Sequence, residues 1–194
     1  MGIGVEKIIH QFSGNNLDLN IPNIITLGRL MAVPVTVWLI LNNYILAAFG
    51  LFVMAGVSDA IDGFLAKRWG QVTEFGKYLD PLADKALLVS IYITLGVQGY
   101  LESWLVIMVV FRDVMIVGAV ILYQAMVVKL EMNPLIISKI NTVAQIVLAA
   151  LVLCSEGFDL DVGSLFEVMM GIVAVTTLIS GLSYLAFIFV KDKG

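Results

Sequence analysis

Apolar residues in this chain gather into six long blocks separated by short polar links. The blocks lie at approximately Ile24 to Leu41, Tyr44 to Ala66, Tyr78 to Val97, Leu101 to Val128, Leu135 to Cys154 and Ser164 to Val190. Each carries few charges over roughly 18 to 25 residues, the length that takes a helix across about 30 Å of hydrocarbon. The short alternating segments of a membrane barrel are absent. The pattern therefore predicts an all-α integral membrane protein with six transmembrane helices. Pro22, after the polar stretch Leu17 to Asn20, suits a helix start, and Pro34 marks a place where the first span can kink.

Ahead of the first block, residues 1–20 read as a separate N-terminal interfacial segment, and residues 21–194 as one six-helix domain without repeats or linkers. Ile3, Val5, Ile8, Ile9 and Phe12 recur at helical spacing with Glu6, Lys7 and His10 between them, the pattern of a short amphipathic helix lying along the membrane surface. A frayed tail fits the same residues equally well. The segment carries Glu6, His10 and Asp18 and has no continuous apolar core, so the first span is expected to be retained rather than cleaved.

Composition strengthens the membrane reading. Of 194 residues, 60% are hydrophobic and 13% charged, more apolar surface than a soluble domain of this size can hide. A net charge of -4 leaves no broad basic face and argues against nucleic-acid binding. Cys154 is the single cysteine, so an internal disulfide is ruled out, and its apolar surroundings suit plain packing.

The placement of the charges orients the chain. The links at Asn42 and Asn43, at Gln98 and Gly99, and at Ser155 to Gly163 contain no Lys or Arg. Lys7, Arg29, Lys67, Arg68, Lys77, Lys85, Lys129, Lys139, Lys191 and Lys193 all fall at the other side, leaving only Arg112 within a span. By the positive-inside rule both termini and the charged links face the cytoplasm.

Four acidic residues break the apolar pattern at the second and third blocks. The chain reads Ser58-Asp59-Ala60-Ile61-Asp62-Gly63-Phe64-Leu65-Ala66-Lys67-Arg68, then Phe75-Gly76-Lys77-Tyr78-Leu79-Asp80-Pro81-Leu82-Ala83-Asp84-Lys85. Asp59 and Asp62 are three apart and Asp80 and Asp84 four apart, so each pair shares a face of its helix. A short link makes the two helices antiparallel neighbours, which brings all four carboxylates to similar depth in the cytoplasmic leaflet. Acids inside a membrane are costly and mark function by default. Together they would repel one another and take up protons unless a cation neutralised them. Oxygen ligands without clustered His or Cys suit Mg²⁺, Mn²⁺ or Ca²⁺ rather than Zn²⁺. Two such ions form the clamp that stabilises attacking and leaving oxygens in phosphoryl chemistry. A purely structural account makes Asp80 a cap before Pro81 and Asp84 a partner of Lys85. It leaves Asp59 and Asp62 unexplained.

The spacing Asp-x2-Asp-Gly-x2-Ala-basic-x8-Gly-x3-Asp-x3-Asp resembles the signature of the CDP-alcohol phosphatidyltransferases. The resemblance implies a six-helix homodimer with a polar, cytoplasm-facing cavity for a CDP-alcohol. It implies two divalent cations, Mg²⁺ or Mn²⁺, held by Asp59, Asp62, Asp80 and Asp84, with Asp84 also the catalytic base. It further implies CDP binding by Asp59, Asp62, Gly63, Ala66, Lys67, Gly76 and Asp80. The family normally has Arg where Lys67 stands, with Arg68 following here, and either cation could meet the phosphate.

Further likenesses bear on the acceptor. Ile21-Pro22-Asn23-Ile24-Ile25-Thr26-Leu27-Gly28-Arg29 is similar to both phosphatidylglycerophosphate synthases and eukaryote-type cardiolipin synthases. Arg112-Asp113-Val114-Met115 and Ile137-Ser138-Lys139-Ile140-Asn141-Thr142 look more like the latter. Many phosphatidylglycerophosphate synthases carry Glu after the first Arg and a second Arg eight residues on. Here those positions are Asp113 and Val120, removing a cation that free glycerol 3-phosphate would want.

The expected reaction is transfer of a phosphatidyl group from CDP-diacylglycerol to phosphatidylglycerol, giving cardiolipin and CMP. Arg112 and Lys139 are expected to bind the acceptor or lipid phosphate. An internal charge pair at Arg112 and Asp113, and cross-helix bonding by Asn141 and Gln145, are the structural alternatives for those residues. Glycerol 3-phosphate is the alternative acceptor. A divalent-cation transporter is the rival from another class, disfavoured because the acids cluster at one leaflet and no matching pair of broken helices appears.

Overall fold

The computed structural model describes residues 21–69, 74–125 and 136–191, with side chains at 26–59, 83, 85–118 and 136–184. These residues form six helices, which we number α1 (Ile21–Leu41), α2 (Ile45–Trp69), α3 (Glu74–Val97), α4 (Ser103–Ala125), α5 (Ile136–Phe158) and α6 (Gly163–Lys191). No strand occurs among them. The interfacial segment expected at residues 1–20 lies outside the described residues.

The helices begin and end close to the apolar blocks, and the differences have local causes. α1 starts at Ile21, with Pro22 in the first turn where its missing N–H is not needed, and continues through Pro34. α3 starts at Glu74 and runs through Asp80 and Pro81, so Asp80 lies within the helix rather than capping it. α5 extends past Cys154 to Phe158, shortening the last link. Gly157 permits this extension, because a Cβ there would lie 3.1 Å from Leu46 Cα of α2.

Three links at the Lys- and Arg-free end share one closure. Asn43, Gly99 and Asp159 adopt left-handed backbone, with φ of 61°, 80° and 52°. The following residue donates back across the turn, from Tyr44 N to Leu39 O at 2.8 Å, Tyr100 N to Leu95 O at 2.9 Å, and Leu160 N to Ser155 O at 2.8 Å. This is the Schellman closure, which satisfies carbonyls that a helix end would otherwise leave bare. Gln98 Nε2 adds a 3.2 Å bond to Ile40 O, tying α3 to the end of α1.

Packing follows a ring: α1 lies against α2, α2 against α5, α5 against α6, α6 against α4, α4 against α3, and α3 against α1. A further contact of α3 with α5 crosses the ring and divides it into two compartments. The apolar core, including Ile40, Ile91, Leu95, Leu105, Leu148 and Leu153, fills the half nearer the Schellman-closed links. Tyr92 is fully buried there and donates to Gln145 O at 3.0 Å.

The outer surface inverts the soluble pattern. Met31, Val97, Ile107, Phe111 and Ile136 are each more than 60% exposed, whereas Arg29, Arg112, Asp113, Asn141 and Gln145 are buried. Polar side chains turned inward beneath an apolar exterior are what a lipid solvent selects. Among the described residues, Ile136–Phe158 and Gly163–Tyr184 are long and apolar enough to cross a bilayer by themselves, and Thr26–Leu41, Ile45–Asp59 and Lys85–Val97 are shorter apolar stretches.

Candidate active site

Both aspartate pairs lie on continuous helix, Asp59 and Asp62 on α2 and Asp80 and Asp84 on α3. Gly63, Ala66 and Lys67 also fall on α2 and Gly76 on α3, while the side chains of these four residues and of Asp62, Asp80 and Asp84 lie outside the described set. Among the described residues α1 and α5 each touch both α2 and α3. A cavity of about 560 Å³ lies between these four helices, and among the described residues its polar wall is formed by Arg29, Asp59, Lys85 and Thr142. Its remaining walls are apolar, including Phe52, Val53 and Ile146.

Asp59 is the signature carboxylate whose surroundings are described. Arg29 of α1, itself buried, pairs with Asp59 Oδ1 at 2.9 Å, while the Asp59 side chain remains 45% exposed. A carboxylate has two oxygens with several lone pairs, so a guanidinium on one is compatible with a cation on the other. The donor set of the signature, oxygen alone, fits a hard divalent ion. Among the described residues no three potential ligands of a metal ion cluster. Asp59 is among those residues, and the side chains of its three companions are not.

Lys85, next to Asp84 in sequence, stands where α3, α4 and α5 meet. Its Nζ donates to Asp113 Oδ2 at 2.9 Å and to Thr142 Oγ1 at 3.4 Å. Asp113 Oδ1 accepts from Arg112 Nη1 at 2.6 Å. One carboxylate, only 2% exposed, thus holds two cations with separate oxygens.

Arg112 is engaged on all three nitrogens. Nε donates to Ser180 Oγ of α6 at 3.1 Å and Nη2 to Ser138 Oγ of α5 at 2.6 Å, so the guanidinium joins α4, α5 and α6. Ser138 precedes Lys139, which is exposed. Asn141 Oδ1 accepts from Thr176 Oγ1 at 2.8 Å and Thr177 Oγ1 at 2.9 Å, a cross-helix role. The Gln145 side-chain amide and Asn141 Nδ2 are buried without a partner among the described residues, and buried water is the usual remedy for such groups.

Sequence reasoning assigned no site role to Arg29, Lys85 or Thr142. The signal for Lys85 was its place beside Asp84, and for Arg29 its place inside the opening segment already singled out. Their partners depend on how α1, α4 and α5 pack, which spacing along one helix does not reveal.

A family model described as CDP-alcohol phosphatidyltransferase matches residues 19–180. The chain is 36% identical over 189 residues to a chloroplastic CDP-diacylglycerol–glycerol-3-phosphate 3-phosphatidyltransferase of Oryza sativa subsp. japonica, covering 88% of this chain and 57% of the relative. It is 33% identical over 180 residues to a cardiolipin synthase (CMP-forming) of Rattus norvegicus, covering 84% and 60%. A CDP-diacylglycerol–glycerol-3-phosphate 3-phosphatidyltransferase of Rickettsia prowazekii is 32% identical over 175 residues, covering 87% of this chain and 94% of the relative. The chain thus spans less than two thirds of the rice and rat relatives and nearly all of the rickettsial one. With the family model matching most of its length, the chain belongs to the CDP-alcohol phosphatidyltransferase family.

Proposed function

We propose that this protein transfers a phosphatidyl group from CDP-diacylglycerol to an alcohol with release of CMP, and that the alcohol is phosphatidylglycerol, giving cardiolipin. The observation that carries the reading is the shared cavity, with Asp59 of α2 and Lys85 of α3, the neighbour of Asp84, on its walls. Members of this family generally depend on divalent metal. The four aspartates are the residues that would hold two such ions, Mg²⁺ or Mn²⁺. Bound there, the ions would supply charge neutralisation for the diphosphate.

The chain's own groups account for the remaining steps. Lys67 or Arg68, with Gly63, Ala66 and Gly76 allowing close approach, binds CDP. Asp84 takes the proton of the acceptor hydroxyl. The acceptor oxygen then bonds to the phosphorus that carries diacylglycerol, and the bond from that phosphorus to the oxygen bridging to CMP breaks. CMP departs with the electron pair. Six spans, both termini in the cytoplasm, a homodimer and residence in the inner membrane complete the reading. The inward-facing polar residues and the one-sided basic links support it.

Glycerol 3-phosphate is the second reading, favoured by the names of the rice and rickettsial relatives. Labelled CDP-diacylglycerol supplied with phosphatidylglycerol, glycerol 3-phosphate, serine or inositol separates the two. Labelled cardiolipin is the expected product. Product from glycerol 3-phosphate alone would move the acceptor to the second reading.

A further inference from the structure

Two buried amides on α5 carry hydrogen-bonding capacity that neighbouring side chains leave unused. Asn141 and Gln145 are fully buried and lie four residues apart on one face of the helix, a spacing that sets their Cβ atoms about 6 Å from each other. Among the described residues, Asn141 Nδ2, Gln145 Nε2 and Gln145 Oε1 have no hydrogen-bond partner. The polar atoms around them are already committed. Asn141 Oδ1 accepts from Thr176 and Thr177 of α6, and the Tyr92 hydroxyl of α3 donates to the Gln145 backbone carbonyl. Ala144 and Leu148, buried on the same stretch of α5, offer no polar side-chain atom, and Ala144 is small enough to leave volume beside the amides.

We propose that one internal water molecule bridges Asn141 and Gln145 and completes the joint of α5 with α6. The donors and acceptors select the occupant. Two N–H groups and one carbonyl oxygen require a group that accepts twice and donates once, which water does with one proton to spare. With the Asn141 amide turned end for end, the Thr hydroxyls accept from it and the requirement becomes one acceptance and two donations. Water meets that as well. A metal ion would face N–H donors, and an ammonium would find too few acceptors. An anion would strand Gln145 Oε1 and bring a charge into the interior, where Arg112 is already engaged on all three nitrogens. Three protein partners are usual for a buried water, and two hydrogen bonds of about 2.9 Å span the separation of the amides. The water would also steady the aspartate cavity, because Thr142 of its wall adjoins Asn141 on α5.

The test pairs a density map with a substitution, both on the full-length protein in detergent. A map at about 2 Å resolution or better is expected to show an isolated peak within hydrogen-bond distance of both amides. Gln145→Met keeps the length of the side chain and removes both of its polar atoms. With water in place, the change strands the Asn141 amide and should lower the thermal midpoint by about 3–8 °C. In a dry site the same change removes two unsatisfied buried groups, and the midpoint should rise.

A raised or unchanged midpoint for Gln145→Met, or a map in which the two amides meet no ordered solvent, would overturn the inference. If that variant does not accumulate as folded protein, the map of the unaltered protein decides alone. Neither measurement involves substrate, so the inference and the proposed transfer reaction stand or fall separately.

Discussion

Among single residues, Asp113 ties two cations together in the interior. It is buried and joins Lys85 to Arg112 through separate oxygens. Removing one member of a buried charge group strands its partners in a poor solvent for charge, whereas replacing all members together need not destabilise. Asp113→Ala is therefore expected to cost about 3–5 kcal/mol, read as a marked fall in thermal midpoint in detergent. Ser180→Ala removes one neutral partner of Arg112 and should cost about 0.5–1.5 kcal/mol. Asp84 is predicted to act chemically rather than structurally. Asp84→Asn should lower the rate of CMP release about 10²–10⁴-fold while the folded protein elutes unchanged on size exclusion. Full turnover by that variant would remove Asp84 from the role of base.

The elements show what was legible in the chain and what was not. Apolar blocks located all six helices, because the length of a span and its freedom from charge are properties of consecutive residues. The aspartate pairs were equally accessible, since helical spacing of three and four puts them on one face. Links were harder. Ser155, Glu156 and Gly157 read as polar punctuation but continue α5, because Gly157 lets that helix approach the backbone of Leu46. Gly157→Val should push α5 from α2 at a cost of about 1–3 kcal/mol, measured as a lowered thermal midpoint. Gly99, with φ of 80°, should resist β-branched substitution for a different reason, the steric penalty of left-handed backbone. Among the described residues α1 and α5 each bridge α2 and α3, a fact of tertiary arrangement that no single helix encodes. That bridging creates the cavity and explains why Arg29 and Thr142 belong to its wall.

For the whole molecule, an apolar exterior encloses polar groups concentrated toward one end. The apolar core fills the half near the Schellman-closed links, while Arg29, Asp59, Lys85, Arg112 and Asp113 occupy the half nearer the basic links. Topology follows as a prediction. With Cys154→Ser as background, single cysteines at Asn43 and Gln98 should react with an impermeant thiol reagent from outside the cell. Cysteines at Arg68 and Lys129 should react only after the membrane is opened. Labelling of all four from one side would break the six-span arrangement.

The chemistry has an equally direct test. Purified protein in detergent is given CDP-diacylglycerol and phosphatidylglycerol, and CMP is measured with Mn²⁺ or Mg²⁺ present and again after chelation. Metal-dependent CMP formation that requires the alcohol, and that is lost on chelation and restored by returning the ion, is the predicted result. Undiminished CMP formation in the presence of chelator, or none with any alcohol and metal, would contradict the account.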